Sequence, residues 1–228
     1  MFFYGCQEFF RNKLPLATKN LRFYPKKAIP VGMFEELEKI KEECLSCQRC
    51  PLGKTRTKVV FSAGIPNNKI VLIGEAPGFN EDMTGEPFVG RAGQLLDKIL
   101  ESVGFSRQKN IYICNTIKCR PPNNRDPLPE EKLACRNYLD RQLATLKPKI
   151  ILLCGKVALT SFMDTKEGIS KLRGRWFEGP FGAQMMPIFH PSYLLRNPSH
   201  KEGSPKWLMW QDMKEIRRVY DALEKASQ

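Results

Sequence analysis

Four short apolar runs separated by helical segments constrain this chain more than anything else in it. They are Lys69-Ile-Val-Leu-Ile73, Asn110-Ile-Tyr-Ile-Cys114, Lys149-Ile-Ile-Leu-Leu-Cys154 and Met186-Pro-Ile-Phe189, and each reads as a buried strand. Helical patterns lie between them over Gly90–Val103, Pro129–Leu146 and Lys156–Phe162. Strands that alternate with helices pair in parallel and carry helices on both faces. The fold class is therefore α/β: a three-layer α/β/α sandwich around a central, four-stranded, mainly parallel sheet. Two more helices flank it. One covers Met33–Cys44, with Phe34, Leu37 and Ile40 on a short amphipathic stripe, and one covers Pro205–Lys225, with Trp207, Trp210, Met213, Ile216 and Tyr220 on another.

At 228 residues and 42% hydrophobic content the chain buries a full core without disulfides. Residues 1–30 are aromatic, basic and broken by proline without periodicity, which suggests an N-terminal extension of unassigned role ahead of one domain over 31–228. The apolar start, Met1 to Gly5, is interrupted by Glu8 and Arg11 before a signal-peptide core could form, and no apolar run reaches bilayer-spanning length. Unpaired thiols then argue for a reducing, cytoplasmic compartment and no membrane partner. The formal charge of +13 suits a polyanion such as nucleic acid, although solvated lysines alone produce the same number.

The cysteines are patterned. Cys47-x2-Cys50 and Cys119-x15-Cys135 have the look of one buried metal centre that would staple the N-terminal segment onto the middle of the fold. The bland alternative is four reduced core cysteines. Thiolates suit iron-sulfur or zinc, but the second pair lacks the short spacing of a zinc ribbon, which favours iron-sulfur. Cys6, Cys44, Cys114 and Cys154 have no equally good partners and read as free thiols, the last two buried in strands.

In parallel sheets ligands bind beyond the carboxyl ends of the strands. Here those positions hold Gly74-Glu75-Ala76-Pro77-Gly78 with Glu81 and Phe88 after the first strand, Asn115 and Lys118-Cys119-Arg120 after the second, and His190-Pro191-Ser192 after the fourth. Singly they have ordinary readings as tight turns, caps or core. Together an amide, an imidazole, an aromatic ring and two acids at one sheet edge compose a pocket for a flat, hydrogen-bonding ring.

The run GEAPGFNEDMTGEPFVGRAGQLL, the segments KCRPPNNRDPLP and HPSYLLRNP, and the four-cysteine frame together resemble the family 4 uracil-DNA glycosylases, the iron-sulfur members of that superfamily found in bacteria and archaea. The resemblance covers about Glu43 to Tyr220. It implies a [4Fe-4S] cluster on Cys47, Cys50, Cys119 and Cys135, structural in role because glycosidic hydrolysis moves no electrons. It implies a monofunctional enzyme that flips deoxyuridine out of single- or double-stranded DNA, hydrolyses its N-glycosidic bond and leaves an abasic site for base excision repair. Phe88 would stack on uracil in a site bordered by Gly74 and Ala76. Asn115 would pair with O4 and N3–H, and His190 would donate to O2, where charge develops.

Well-known relatives carry an acid where this chain has Ala76, so the group that positions water is open, with Glu75 the candidate. Gly78 stands where they exclude the thymine methyl with a ring, and Glu81 would fill that space. On the DNA side Leu194 and Leu195 are wedge candidates, Ser192 and Arg196 would meet the backbone, and Lys118, Arg120 and Arg125 would form a basic loop around Cys119. The rival from another class is a non-catalytic iron-sulfur DNA-binding damage sensor or polymerase accessory protein, which has no need of Asn115, Phe88 and His190 together. A monomer is expected. A sliding-clamp or repair-protein contact is not legible.

Overall fold

In the computed structural model, which describes residues 31–67 and 69–226, the apolar runs form the middle of one sheet. The expected extension over residues 1–30, with Cys6, lies outside the described residues. The strands are β1 (Ala63–Gly64), β2 (Ile70–Gly74), β3 (Tyr112–Asn115), β4 (Ile150–Cys154), β5 (Phe177–Glu178) and β6 (Gln184–Ile188), in the order β1-β3-β2-β4-β6-β5. The four expected strands are its parallel centre, β3-β2-β4-β6. The four-stranded count is corrected at the edges, where two-residue β1 and β5 pair antiparallel with β3 and β6. Two residues carry no alternation, so neither edge strand leaves a periodic signal.

The central strands are buried on both faces, which is why they read as continuous apolar runs. Ile70, Leu72, Ile113, Ile150, Leu152 and Ile188 face one layer, packed with Leu96 and Leu100 of α4 (Arg91–Glu101) and with α9 (Pro205–Ala226). Val71, Ile73, Tyr112, Ile151 and Leu153 face the other, against Leu37 of α1 (Val31–Leu45) and Leu139, Leu143 and Leu146 of α5 (Pro129–Leu146). Truncating one of these to alanine costs about 2–5 kcal/mol. On α9 the buried stripe is Met209, Met213, Ile216 and Tyr220, while Trp210 is 42% exposed, correcting the expectation that Trp210 shares it.

Local chemistry sets the ends of α5. Pro129 opens the helix, where its missing N–H costs nothing, and Glu131 reaches back to accept the Leu128 N–H at 2.9 Å. The helix stops at Lys147, in the left-handed region at φ 43°. The chain adds β3 on one side of β2 and returns to β4 on the other. The connections above β2 and β4 therefore diverge and leave a crevice at the carboxyl edge. Among the described residues no helix is long and apolar enough to cross a membrane.

Candidate active site

A cavity of about 490 Å³ opens over that crevice, with Glu75, Asn115, Gly155 and His190 supplied by the ends of all four parallel strands. Its walls come from α3 (Phe79–Thr84), the Phe88 loop and α8 (Pro191–Arg196).

Phe88 is buried in a left-handed conformation at φ 55°, which a bulky residue adopts only when its surroundings impose it. Arg107 imposes it from one side. Its guanidinium donates to the carbonyls of Pro87 and Phe88 at 2.9 Å each and is itself held by Asp97. Glu81 acts from the other side, with Oε1 accepting the Val89 and Gly90 N–H groups and Oε2 accepting that of Gly78. Gly93 completes the clamp, since a β-carbon there would collide with the Phe88 carbonyl. The Phe88 ring ends 5.7 Å from the His190 ring, tilted by 33°.

Asn115 is 2% exposed and lines the cavity, yet its Oδ1 accepts no hydrogen bond among the described residues. An orphaned buried acceptor is costly, about 1–3 kcal/mol, unless a ligand satisfies it. Gly74 makes room for it: a β-carbon at 74 would lie 2.5 Å from Phe88 Cζ and closer still to Asn115 Oδ1. Gly74 thus serves as space behind Asn115 and Phe88, whereas Ala76 lines the cavity itself.

The backbone N–H of Ser192 donates to His190 Nδ1 at 3.2 Å, which leaves the ring proton on Nε2. Burial, helped by the charge of Arg196, pulls the imidazole down to about 4, so the ring is a neutral donor at ordinary pH. Burial pushes Glu75 up to about 7, with Asp126 adding to the effect. Glu81 Oε2 lies 2.8 Å from where a β-carbon on Gly78 would stand. The site therefore presents an aromatic face, an amide with an unpaired oxygen, a neutral imidazole donor and a carboxyl poised near neutrality.

The DNA-facing residues separate. Arg196 is exposed at the mouth, Leu195 is 38% exposed, and Ser192 lines the cavity beside His190. Leu194 is 1% exposed within the core under α8, so its wedge assignment is corrected and Leu195 alone remains available. Arg120 is half-buried, its Nε donating to Asn124 Oδ1 at 2.7 Å. Arg125 lines the cavity but forms a two-pronged pair with buried Glu131, so its charge is largely spent inside the protein. Lys118 is 0% exposed and cannot touch DNA, which corrects its assignment to the basic loop. A single strand-end residue with alternating neighbours gives no sign of which way it points.

Sequence reasoning missed Gly155, Asn124 and Arg107. Gly155, at φ 96°, brings the turn after β4 under His190, where a β-carbon would sit 3.1 Å from His190 Cβ. The Cys154-Gly155-Lys156 junction carries a signal of its own, a glycine directly after a strand. Arg107 carries none, because it acts through backbone carbonyls.

Cys47, Cys50, Cys119 and Cys135 line one small cavity beneath this site, together with Cys44, Arg56, Lys118 and Tyr138. Cys44, expected as a free thiol although it also makes a C-x2-C with Cys47, is buried at its wall. Among the described residues no three His, Cys, Asp or Glu side chains form a ready single-ion site. The donor set is all sulfur; burial raises the Cys44, Cys119 and Cys135 thiols, so the thiolate form there depends on nearby cations or a bound metal group. Arg56 donates to Cys119 Sγ at 3.4 Å and to the Cys47 carbonyl at 2.7 Å, and the Lys118 N–H faces Cys135 sulfur. Burial pushes Cys135 up to about 11 against the pull of Lys118. Such a frame fits a soft, thiolate-bound metal group. Cys114 and Cys154 are fully buried within β3 and β4.

A family description, the Uracil DNA glycosylase superfamily, matches residues 61–214. A type-4 uracil-DNA glycosylase of Thermotoga maritima is 46% identical over 73% of this chain and 87% of its own length. Namesakes from Archaeoglobus fulgidus and Sulfurisphaera tokodaii are 42% and 39% identical over 74% and 81% of this chain, covering 87% and 85% of themselves. The chain belongs to the uracil-DNA glycosylase superfamily and, within it, to the type-4 branch.

Proposed function

We propose that this protein excises uracil from DNA, hydrolysing the N-glycosidic bond of a flipped deoxyuridine to leave an abasic site. The orphaned Oδ1 of Asn115 carries this reading. Uracil presents an N3–H donor beside an O4 acceptor, matching an amide that offers an unpaired oxygen and an NH2 group. Cytosine presents the reverse order and leaves both amide atoms unpaired. Phe88 supplies the stacking face for the extruded ring.

Bond cleavage puts negative charge on the base and oxocarbenium character on the sugar. A neutral His190 with its proton on Nε2 donates toward O2, where that charge collects, without first having to lose a proton. Glu75 as carboxylate orients the attacking water and stabilises the sugar cation. Gly78 and Glu81 shape the side of the pocket that excludes a methyl group. Arg196 and Leu195 engage the DNA around the extruded nucleotide, and Arg120, bonded to Asn124 of the cavity wall, adds positive charge. The strand is single or double, and the protein acts as a monomer.

Cys47, Cys50, Cys119 and Cys135 would hold a [4Fe-4S] cluster, which would tie the segment after α1 to the segment that follows Asn115 at the end of β3. A damage sensor or polymerase accessory protein would bind DNA but has no use for the Asn115, Phe88 and His190 triplet. The chain divides as an extension over 1–30 and one glycosylase domain over 31–228, in the cytoplasm.

A labelled oligonucleotide with one deoxyuridine, incubated with the protein and then treated with alkali, tests the reading. Alkali-dependent breakage that falls by about 10²–10³-fold in His190→Ala is expected. Binding without breakage by protein of full iron content would overturn it in favour of the sensor.

A further inference from the structure

Lys118 is a fully buried ammonium between the cysteine cavity and the base pocket. Its Nζ donates to the backbone carbonyl of Asn115 at 2.9 Å and lies 5.8 Å from the centre of the Phe61 ring. Among the described residues it has no carboxylate partner. Its own backbone is fixed at both groups, the carbonyl accepting the Val60 N–H at 2.8 Å and the N–H facing Cys135 sulfur. A buried charge is retained only where an opposite charge balances it. The wall it shares carries five cysteine sulfurs and no acid, and Arg49 and Arg56 stand on it as further cations, so the sulfurs are the groups there that can supply negative charge.

We propose that Lys118 is a positioning residue that ties the cysteine centre to base recognition, its ammonium holding the Asn115 main chain in register while its charge is balanced by the thiolate sulfur of the centre. The inference rests on the glycosylase reading of the pocket. Asn115 depends on this main-chain strut because its side-chain oxygen has no tether of its own and Gly74 behind it offers no side chain to lean on. Removing the ammonium leaves the Asn115 carbonyl unpaired and frees the main chain that aims the amide. A misplacement of about 1 Å costs on the order of 10²-fold in rate.

The test compares wild type with Lys118→Met, which keeps volume without a donor, and Lys118→Gln, which keeps a donor without charge. All are brought to equal iron content. Single-turnover excision of deoxyuridine gives a maximal rate and a half-saturating enzyme concentration, and spectroelectrochemistry gives the midpoint potential of the iron-sulfur centre. Lys118→Met is expected to lose at least about tenfold in maximal rate with its half-saturating concentration nearly unchanged. Lys118→Gln should keep most of that rate. Both should move the potential downward, since loss of a nearby positive charge favours the oxidised centre. If Lys118→Met does not fold, Lys118→Gln carries the test through its potential. Unchanged rate and potential in the folded variants would overturn the proposal. So would a loss confined to the half-saturating concentration, the mark of a phosphate contact. A wild type that leaves uracil in place defeats the glycosylase reading instead, and the potentials then decide the charge balance separately.

Discussion

Asn115 Oδ1 occupies the space that a β-carbon on Gly74 would fill. The two positions are neighbours across the parallel pairing of β2 and β3, where Gly74 lies opposite Asn115, so the amide folds back over the end of β2. The Phe88 ring leans on the same spot. One missing methyl group therefore sets both the reading and the stacking of the base.

Gly74→Ala should retain its sheet, because a strand accepts alanine, while Asn115 and Phe88 are forced apart. Excision is expected to fall by about 10²-fold, following the cost of a 1 Å displacement. Single-turnover rates with thermal melts alongside decide it. A variant of wild-type stability and wild-type rate would show that the close approach does not matter.

The pH dependence follows from two opposite shifts. Burial raises Glu75 to about 7, so its carboxylate form, the one able to orient water, accumulates as pH rises through about 7. His190 stays neutral down to about 4 and adds no inflection near the ordinary imidazole value. Excision should therefore climb about tenfold per unit below pH 7 and level off above it. Glu75→Gln should be slow and flat across that window, and a persisting climb in this variant would remove Glu75 from the role. Stability runs the other way. The folded carboxyl holds its proton more tightly than the ordinary value of 4.5, so the stability it contributes is full below that value and is lost as pH rises through about 7. Glu75→Gln should melt higher than wild type at pH 8.

Arg107 is far from any reacting atom, yet it holds the carbonyls on both sides of the strained Phe88 peptide. Arg107→Met leaves both carbonyls and Asp97 without their partner, at an expected cost of about 1–3 kcal/mol in stability. Relaxation of Phe88 should lower excision by roughly tenfold, given a strain of about 1–3 kcal/mol to release. Urea titration and single-turnover rates measure the two effects. Loss of stability with no change in rate would confine Arg107 to a structural role.

Much of the site was legible because its residues sit at strand ends, where a parallel sheet must present them. Glu75, Asn115 and His190 follow three apolar runs and meet in one cavity for that reason alone. Arg107 was not legible, since its work is done on main-chain carbonyls that any residue possesses. Lys118 and Leu194 misled for a related cause: each lies among residues that do line the cavity, and linear neighbourhood carries no direction.

The sequence by itself determined the parallel centre of the sheet, the helices that cover it, the cysteine spacing and the chemistry gathered at the carboxyl edge. These depend on local periodicity, on hydrophobic content and on motifs whose residues are contiguous. Only the tertiary structure decided which way each side chain turned, which acceptor was left unpaired and which charge was buried. Those outcomes depend on atoms from distant segments competing for the same space, as Gly74, Phe88 and Asn115 do, and on which partners remain once the backbone has taken its share of hydrogen bonds.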